Sequence, residues 1–168
     1  HEWDPSFIGA GVTYRRLEAG SILALAQAAR TVGSPQIRNA GTIGGNLGTA
    51  SPIGDGPPAL LALGAELVLA KHDDQYGVSL RFVPLDQFFL DYRKTALEPG
   101  ELIAEVRIPK PFPEIQRFYK VSKRRMDDIS TVAAGFALDL DSRGVVTRVR
   151  LAYGGVAATP KRATRTEV

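Results

Sequence analysis

Cysteine is absent from this chain of 168 residues, and only two histidines, His1 and His72, occur in it. Without cysteine there is no disulfide, no thiolate nucleophile and no thiolate ligand for an iron–sulfur cluster within this chain. Two separated histidines make a histidine-based metal site or a Ser-His-Asp triad a poor expectation. Nowhere does an apolar run approach the ~18 residues of a membrane helix, and no signal peptide is visible, so cytoplasm is the default compartment. Charge of one sign is not in excess either: 21 Lys and Arg stand against 18 Asp and Glu, a net charge of +3. That mild basicity is no nucleic-acid footprint. A hydrophobic content of 44% and a charged content of 23% are ordinary for a globular chain. The length suits one domain, or two small subdomains, with a real core. The chain opens on His1, not Met, which reads as a processed, truncated or partly covered chain.

Glycine is unevenly spread. Residues 37–55 hold Gly41, Gly44, Gly45, Gly48 and Gly54, interleaved with Thr42, Asn46, Thr49 and Ser51 and closed by Asp55. Glycines let backbone amides approach a ligand closely. Successive free amides form an anion-binding concavity, to which hydroxyls and a side-chain amide add donors. The run therefore suits a loop that wraps a phosphate-bearing ligand; a surface loop with two tight turns is the plain alternative. Gly-x-Gly-x-x-Gly and Gly-x-x-x-x-Gly-Lys-[Ser/Thr] are both missing, so neither dinucleotide fingerprint nor triphosphate P-loop applies.

Along the chain, residues 6–13 read as a short strand. Residues 22–30 read as a helix capped by Ser21, with Ile22, Leu25, Ala26 and Ala29 on one face. Pro57 and Pro58 suit the first turn of a second helix ending near Leu63, with Gly64 beyond it. Strands follow at 65–70 and 78–83, with 72–77 as a polar hairpin loop. Residues 84–92 read as short and irregular, with exposed aromatics. Residues 101–108 alternate, placing Leu102, Ala104, Val106 and Ile108 on the core face and leaving Ile103 as an apolar exception opposite. Pro109, Pro111 and Pro113 form a stiff connector and mark a subdomain boundary, giving 1–110 and 111–168. Further strands are expected at 115–123, 132–139 and 145–153, with 141–144 a turn. Strands in irregular order with few helices imply an α+β class.

Arg38-Asn-Ala-Gly-Thr-Ile-Gly-Gly-Asn46 and Ser51-Pro-Ile-Gly-Asp55 together resemble the second flavin-binding loop of the molybdenum hydroxylase flavoproteins, above all the FAD domain of xanthine dehydrogenases. The likeness extends through Asp91-Tyr-Arg-Lys94, the stretch from Lys120 to Ile129, and Tyr153-Gly-Gly-Val-Ala157. It implies a PCMH-type FAD-binding subdomain followed by the start of an α+β flavoprotein subdomain with antiparallel strands. No match to the family's earlier pyrophosphate loop precedes Ser6, so the chain reads as the middle and later part of the domain. The implied cofactor is FAD, with the molybdenum cofactor and two iron–sulfur clusters on other domains or subunits and a hetero-oligomer as the full enzyme. In the family electrons reach FAD from the clusters, and NAD⁺ takes a hydride. Two rivals are a flavoprotein subunit of carbon monoxide dehydrogenase or an aromatic hydroxylase, and a docking module that no longer binds FAD.

The resemblance assigns Gly41, Thr42, Gly45, Asn46, Thr49, Ser51 and Asp55 to FAD phosphates and ribityl, and Ile103 and Lys120 to the flavin ring. Asp55 also reads as an N-cap or turn residue, Ile103 as part of a strand covered on both faces, and Lys120 as a solvated strand lysine. A cation at the flavin's pyrimidine end would raise its potential, a physical reason for Lys120. Tyr92 is implied to stack on the nicotinamide nucleotide, with core packing as the alternative. Asp127, in a charged loop with Asp128, is implied to influence NAD access. Lys161, Arg162 and Arg165 read as a solvated tail.

Overall fold

The computed structural model describes residues 4–125 and 127–168. In chain order the elements are strand β1 (Phe7–Gly9), helices α1 (Tyr14–Leu17), α2 (Leu23–Thr31), α3 (Pro35–Ala40), α4 (Ile43–Gly48) and α5 (Gly56–Ala62), then strands β2 (Glu66–Asp73) and β3 (Gly77–Pro84), helix α6 (Leu85–Phe88), and strands β4 (Phe89–Asp91), β5 (Lys94–Thr95), β6 (Glu101–Arg107), β7 (Ile115–Val121), β8 (Val132–Leu140), β9 (Val146–Gly154) and β10 (Lys161–Arg162). Two antiparallel four-stranded sheets, β1-β6-β2-β3 and β10-β9-β8-β7, and a β4-β5 ribbon result. Segregated helices and antiparallel sheets make the class α+β.

Helix α5 is the element around which the rest is arranged. Every residue of Gly56–Ala62 is buried, and it packs on β8, β9, β10, α2 and α4. A helix apolar all round must be covered all round. Gly135 in β8 permits that closeness, since a Cβ there would collide with the carbonyl oxygen of Pro58. Leu60, Leu61, Ala62 and Leu63 join Ile8, Leu17, Leu25, Ile43, Leu67, Leu69, Phe88 and Val106 in one core.

Several local expectations are corrected. The strand at 6–13 shrinks to Phe7–Gly9. Helix α2 is not capped by Ser21: its N-cap is Ile22, without a side-chain bond, and the amide of Ala24 donates to Gln116 Oε1 of β7 at 3.4 Å instead. The first part of the glycine-rich stretch is not a loop but falls in two short helices, and residues 49–55 are irregular. Ser34 accepts from the Ile37 amide, with Pro35 in the first turn, and Thr42 accepts from the Gly45 amide, so each helix has a serine or threonine cap. Phe88 and Phe89 are buried, and pack edge to face. Strand β7 ends at Val121, and β10 pairs with β9, so Arg162 belongs to a strand and pairs with Glu167 at 2.5 Å rather than lying in a solvated tail.

The alternation read in 101–108 also inverts partway. Val68 faces Glu105 while Leu69 faces Ile103, so Ala104 is an extra residue in a β-bulge. A one-residue slip exchanges the faces of everything before it. Ile103 is thereby buried at 9% exposure and Leu102 exposed at 59%, the reverse of the expected pattern.

Arg81 on β3 reaches across β2 to Glu101 on β6, donating from Nε to Oε1 at 2.8 Å and from Nη2 to Oε2 at 2.5 Å. This guanidinium, with the Glu98 amide, lowers the Glu101 carboxyl to about 2 from 4.5. A carboxylate depressed on folding contributes stability that is present above its unfolded pKa and lost as pH falls through the folded value. Thermal stability is therefore expected to drop between pH 4.5 and about 2, and Glu101→Gln should flatten that part of the profile in calorimetry.

Candidate functional site

Asp55 directly precedes α5 but makes no capping bond to it. Its carboxylate turns instead toward β7 and the segment before β8. Lys120 Nζ donates to Asp55 Oδ2 at 2.8 Å and to the Thr31 carbonyl at 3.0 Å. The Ser130 hydroxyl donates to Asp55 Oδ1 in a short hydrogen bond, and Thr31 Oγ1 lies 3.2 Å from Oδ2. Three other segments, the end of α2, β7 and the chain before β8, thus converge at one carboxylate. The side chains are withdrawn from water, Asp55 at 5% and Lys120 at 11% exposure. A buried ion pair of this kind offsets two desolvation costs only when its remaining lone pairs and protons are also satisfied. Here Ser130 answers the second carboxylate oxygen and the Thr31 carbonyl takes a second ammonium proton.

Asn46, Ser51, Asp55 and Lys120 line a cleft of about 360 Å³ together with Gly33, Gly54, Arg124, Asp127, Ile129 and Ser130. Ala50, at φ +45°, swings the chain from α4 into the Ser51 segment, an uncommon conformation for a residue with a Cβ. The Tyr153-Gly-Gly155 motif secures that segment from behind. The Gly155 amide donates to the Pro52 carbonyl at 2.8 Å, and Gly155 itself, at φ +82°, has no room for a Cβ beside the Thr131 carbonyl. On the other wall the Arg124 amide and side chain hold Asp128, and the amide bond is the main cause lowering the Asp128 carboxyl below its usual range. Asp127 is in a loop at φ +50°, not on a strand. A roomier hollow of about 520 Å³ beside Phe7, Pro84, Arg107 and Ile108 contains none of the motif's residues.

The structure therefore brings together Asn46, Ser51, Asp55, Lys120 and Asp127. Gly41, Thr42, Gly45 and Thr49 form the α3–α4 corner beside this cleft and do not line it. Gly41 ends α3, Thr42 Oγ1 accepts from the Gly45 amide at 3.1 Å, and Thr49 Oγ1 donates to the Asn46 carbonyl at 2.7 Å. Ile103 packs in the main core. Tyr92 is 55% exposed with the Arg93 guanidinium 5.6 Å from its ring centre, so core packing does not describe it. Three residues that bear on the site escaped the sequence reading. Thr31 and Ser130 reach Asp55, and the Tyr14 hydroxyl donates to Asn46 Oδ1 at 2.7 Å. Their separations of 24, 75 and 32 positions leave no local spacing to detect.

Chemically, the cleft offers a side-chain amide, the hydroxyls of Ser51 and Ser130, a guanidinium bonded to Asp128, a compensated ammonium–carboxylate pair and the carboxylate of Asp127. The amide and the Ser51 hydroxyl are donors of the kind that a hydroxylated, anionic dinucleotide needs. Removing one member of the pair should be costly. Lys120→Met is expected to destabilise the fold by about 3–5 kcal/mol, because Asp55 is left charged and buried. Asp55→Asn combined with Lys120→Met should recover much of that loss, as chemical denaturation of the two variants would show.

Residues 5–111 match the family model described as "FAD binding domain in molybdopterin dehydrogenase", and residues 117–168 match "CO dehydrogenase flavoprotein C-terminal domain". The chain is 44% identical over 133 residues to xanthine dehydrogenase of Dictyostelium discoideum, covering 72% of this chain and 10% of that protein. It is 39% identical over 162 residues to the nicotinate dehydrogenase FAD-subunit of Eubacterium barkeri, covering 91% of this chain and 53% of that one. Reconstituted CO dehydrogenase from Oligotropha carboxidovorans superposes with a TM-score of 0.84 at 29% identity, over 96% of this chain and 56% of that chain. The chain thus spans about a tenth of the length of its xanthine dehydrogenase relatives and about half of the separate flavoprotein subunits. With the motif at the cleft and the fold in agreement, the chain belongs to the FAD-binding domains of the molybdopterin dehydrogenases, the flavoprotein part of the molybdenum hydroxylase oxidoreductases.

Proposed function

We propose that this chain is the FAD-binding part of a xanthine dehydrogenase-like enzyme, serving electron passage from iron–sulfur clusters to NAD through FAD. The observation that carries the reading is the cleft in which Asn46 and Ser51 of the glycine-rich motif meet the Lys120–Asp55 pair. When bound, FAD supplies the redox chemistry, linking a one-electron donor to a two-electron acceptor. The chain's own residues bind and orient it. Asn46 and Ser51 contribute neutral polar groups, and the α3–α4 corner with Gly41, Thr42, Gly45 and Thr49 offers backbone close to them for phosphate oxygens. Lys120 brings positive charge near the flavin, moderated by Asp55. Asp127 also lines the cleft, where its charge would act on an incoming nicotinamide nucleotide. Ile103 and Tyr92 lie outside this cleft, so a ring-side role for either requires a ligand extending beyond it. Molybdenum and iron–sulfur centres belong to partner domains or subunits, in keeping with a chain free of cysteine.

A second reading has its own support. The likeness to the nicotinate dehydrogenase FAD-subunit covers 91% of this chain, and the second family model is that of a CO dehydrogenase flavoprotein. The chain would then come from a separate subunit whose acceptor need not be NAD. Anaerobic titration of the full-length flavoprotein with NADH separates the two. Bleaching of the flavin band is expected, whereas a flavin reduced by dithionite and untouched by NADH would rule out the nicotinamide acceptor.

For the binding residues the informative variant is Asn46→Ala, since it leaves the buried ion pair intact. It should weaken FAD binding by roughly tenfold or more, the worth of one hydrogen bond to a charged acceptor. Unchanged flavin stoichiometry and affinity in the folded variant would remove Asn46 from the site.

A further inference from the structure

Tyr14 stands on the first short helix, remote in sequence from the glycine-rich motif, and is 1% exposed. A buried hydroxyl that donates to nothing costs about 1–3 kcal/mol, so its proton must find an acceptor. The acceptor is Asn46 Oδ1, at 2.7 Å. The space around the phenol oxygen is closed on its other side by Gly56, where a Cβ would collide with that oxygen and would stand 2.8 Å from Asn46 Oδ1. Glycine at the first position of α5 is thus required by the Tyr14–Asn46 bond.

The consequence falls on Asn46. A side-chain amide has an acceptor end and a donor end, and rotation by half a turn exchanges them. With Oδ1 engaged by a buried phenol, the amide is held one way round. Oδ1 is taken by the phenol, Nδ2 donates to no described residue, and Asn46 is one of the residues that line the cleft. Burial, and then the charge of Asp55, raise the Tyr14 pKa well above its usual range. The hydroxyl therefore remains protonated, and a donor, at neutral pH.

We propose that Tyr14 is a positioning residue for the flavin nucleotide: it fixes the Asn46 amide so that the cleft presents N–H donors there, and the group received is an oxygen acceptor of FAD, not a hydroxyl donor. This rests on the site reading above and adds the direction of the hydrogen bond. Asn46 is a donor because a residue 32 positions away occupies its carbonyl oxygen.

The test is a double-mutant cycle in the full-length flavoprotein, stripped of FAD and titrated by flavin fluorescence quenching, with thermal melting to verify folding. Tyr14→Phe should raise the FAD dissociation constant by about tenfold, since the amide is then free to turn. Asn46→Ala should raise it at least as much, and adding Tyr14→Phe to Asn46→Ala should change FAD affinity no further. A purely structural role for Tyr14 would give effects on FAD affinity that add in the cycle. Asn46→Asp keeps an acceptor for the phenol but removes the donors. It should melt near the wild-type temperature while binding FAD no better than Asn46→Ala. Wild-type FAD affinity in Tyr14→Phe, additivity in the cycle, or retained affinity in Asn46→Asp would each overturn the inference. The site reading survives all three of these outcomes, and falls only if Asn46→Ala itself binds FAD normally.

Discussion

Asp55 occupies the point where α5 begins, where α2 ends, where β7 passes and where the chain enters β8. Its carboxylate accepts from Lys120 and Ser130, and the Thr31 carbonyl takes a second proton of Lys120, so all the other segments meet at this pair. Because the group is buried, each of these partners answers a desolvation penalty that the others alone would leave partly uncovered. The helix layer and the second sheet are therefore joined by polar bonds as well as by the packing of α5 on Gly135. The cleft lies along this seam. Its shape depends on the two parts being held in one relation, and the carboxylate that holds them is also one of its walls.

Two of the polar groups that line the cleft are held by side-chain hydroxyls that are themselves buried. Ser130 addresses Asp55, and Tyr14 addresses Asn46. In each case the group facing the cleft has a fixed orientation before anything binds. A binding site in which the rotamers are already chosen avoids part of the ordering cost of association. Lys120 is placed in the same way: its ammonium is held by Asp55 and by the Thr31 carbonyl, so a flavin nearby would meet a compensated charge with a definite direction.

Much of the local architecture was legible in the chain. The antiparallel strands, the turn at 141–144 with Gly144 at φ +79°, and the helix announced by Pro57 and Pro58 all lie close to where the pattern places them. Each depends on short-range rules of periodicity and φ preference. The failures share a cause. Ser21 lost the cap of α2 because Gln116 arrives from β7, and Ile103 turned inward because Ala104 forms a bulge against β2. Helix α4 was hidden by its three glycines and α3 by its six-residue length, although Ser34-Pro35 and Thr42 carried the capping signal.

The candidate site divides along the same line. Asn46, Ser51 and Asp55 were visible because they sit within ten positions of one another in a motif rich in glycine, and Lys120 because its surroundings resemble those of a known family. That Asp55 is the hub, that Ser130 and Thr31 serve it, and that Tyr14 orients Asn46 appear only in three dimensions, since those partners are 24 to 75 positions away. By itself the amino-acid sequence determined which elements form and which residue types are available for FAD, because propensity, capping and periodicity act over a few residues. The tertiary structure alone decided which way the amide and the carboxylate point, because orientation is set by burial and by partners that meet only when the two sheets close on α5.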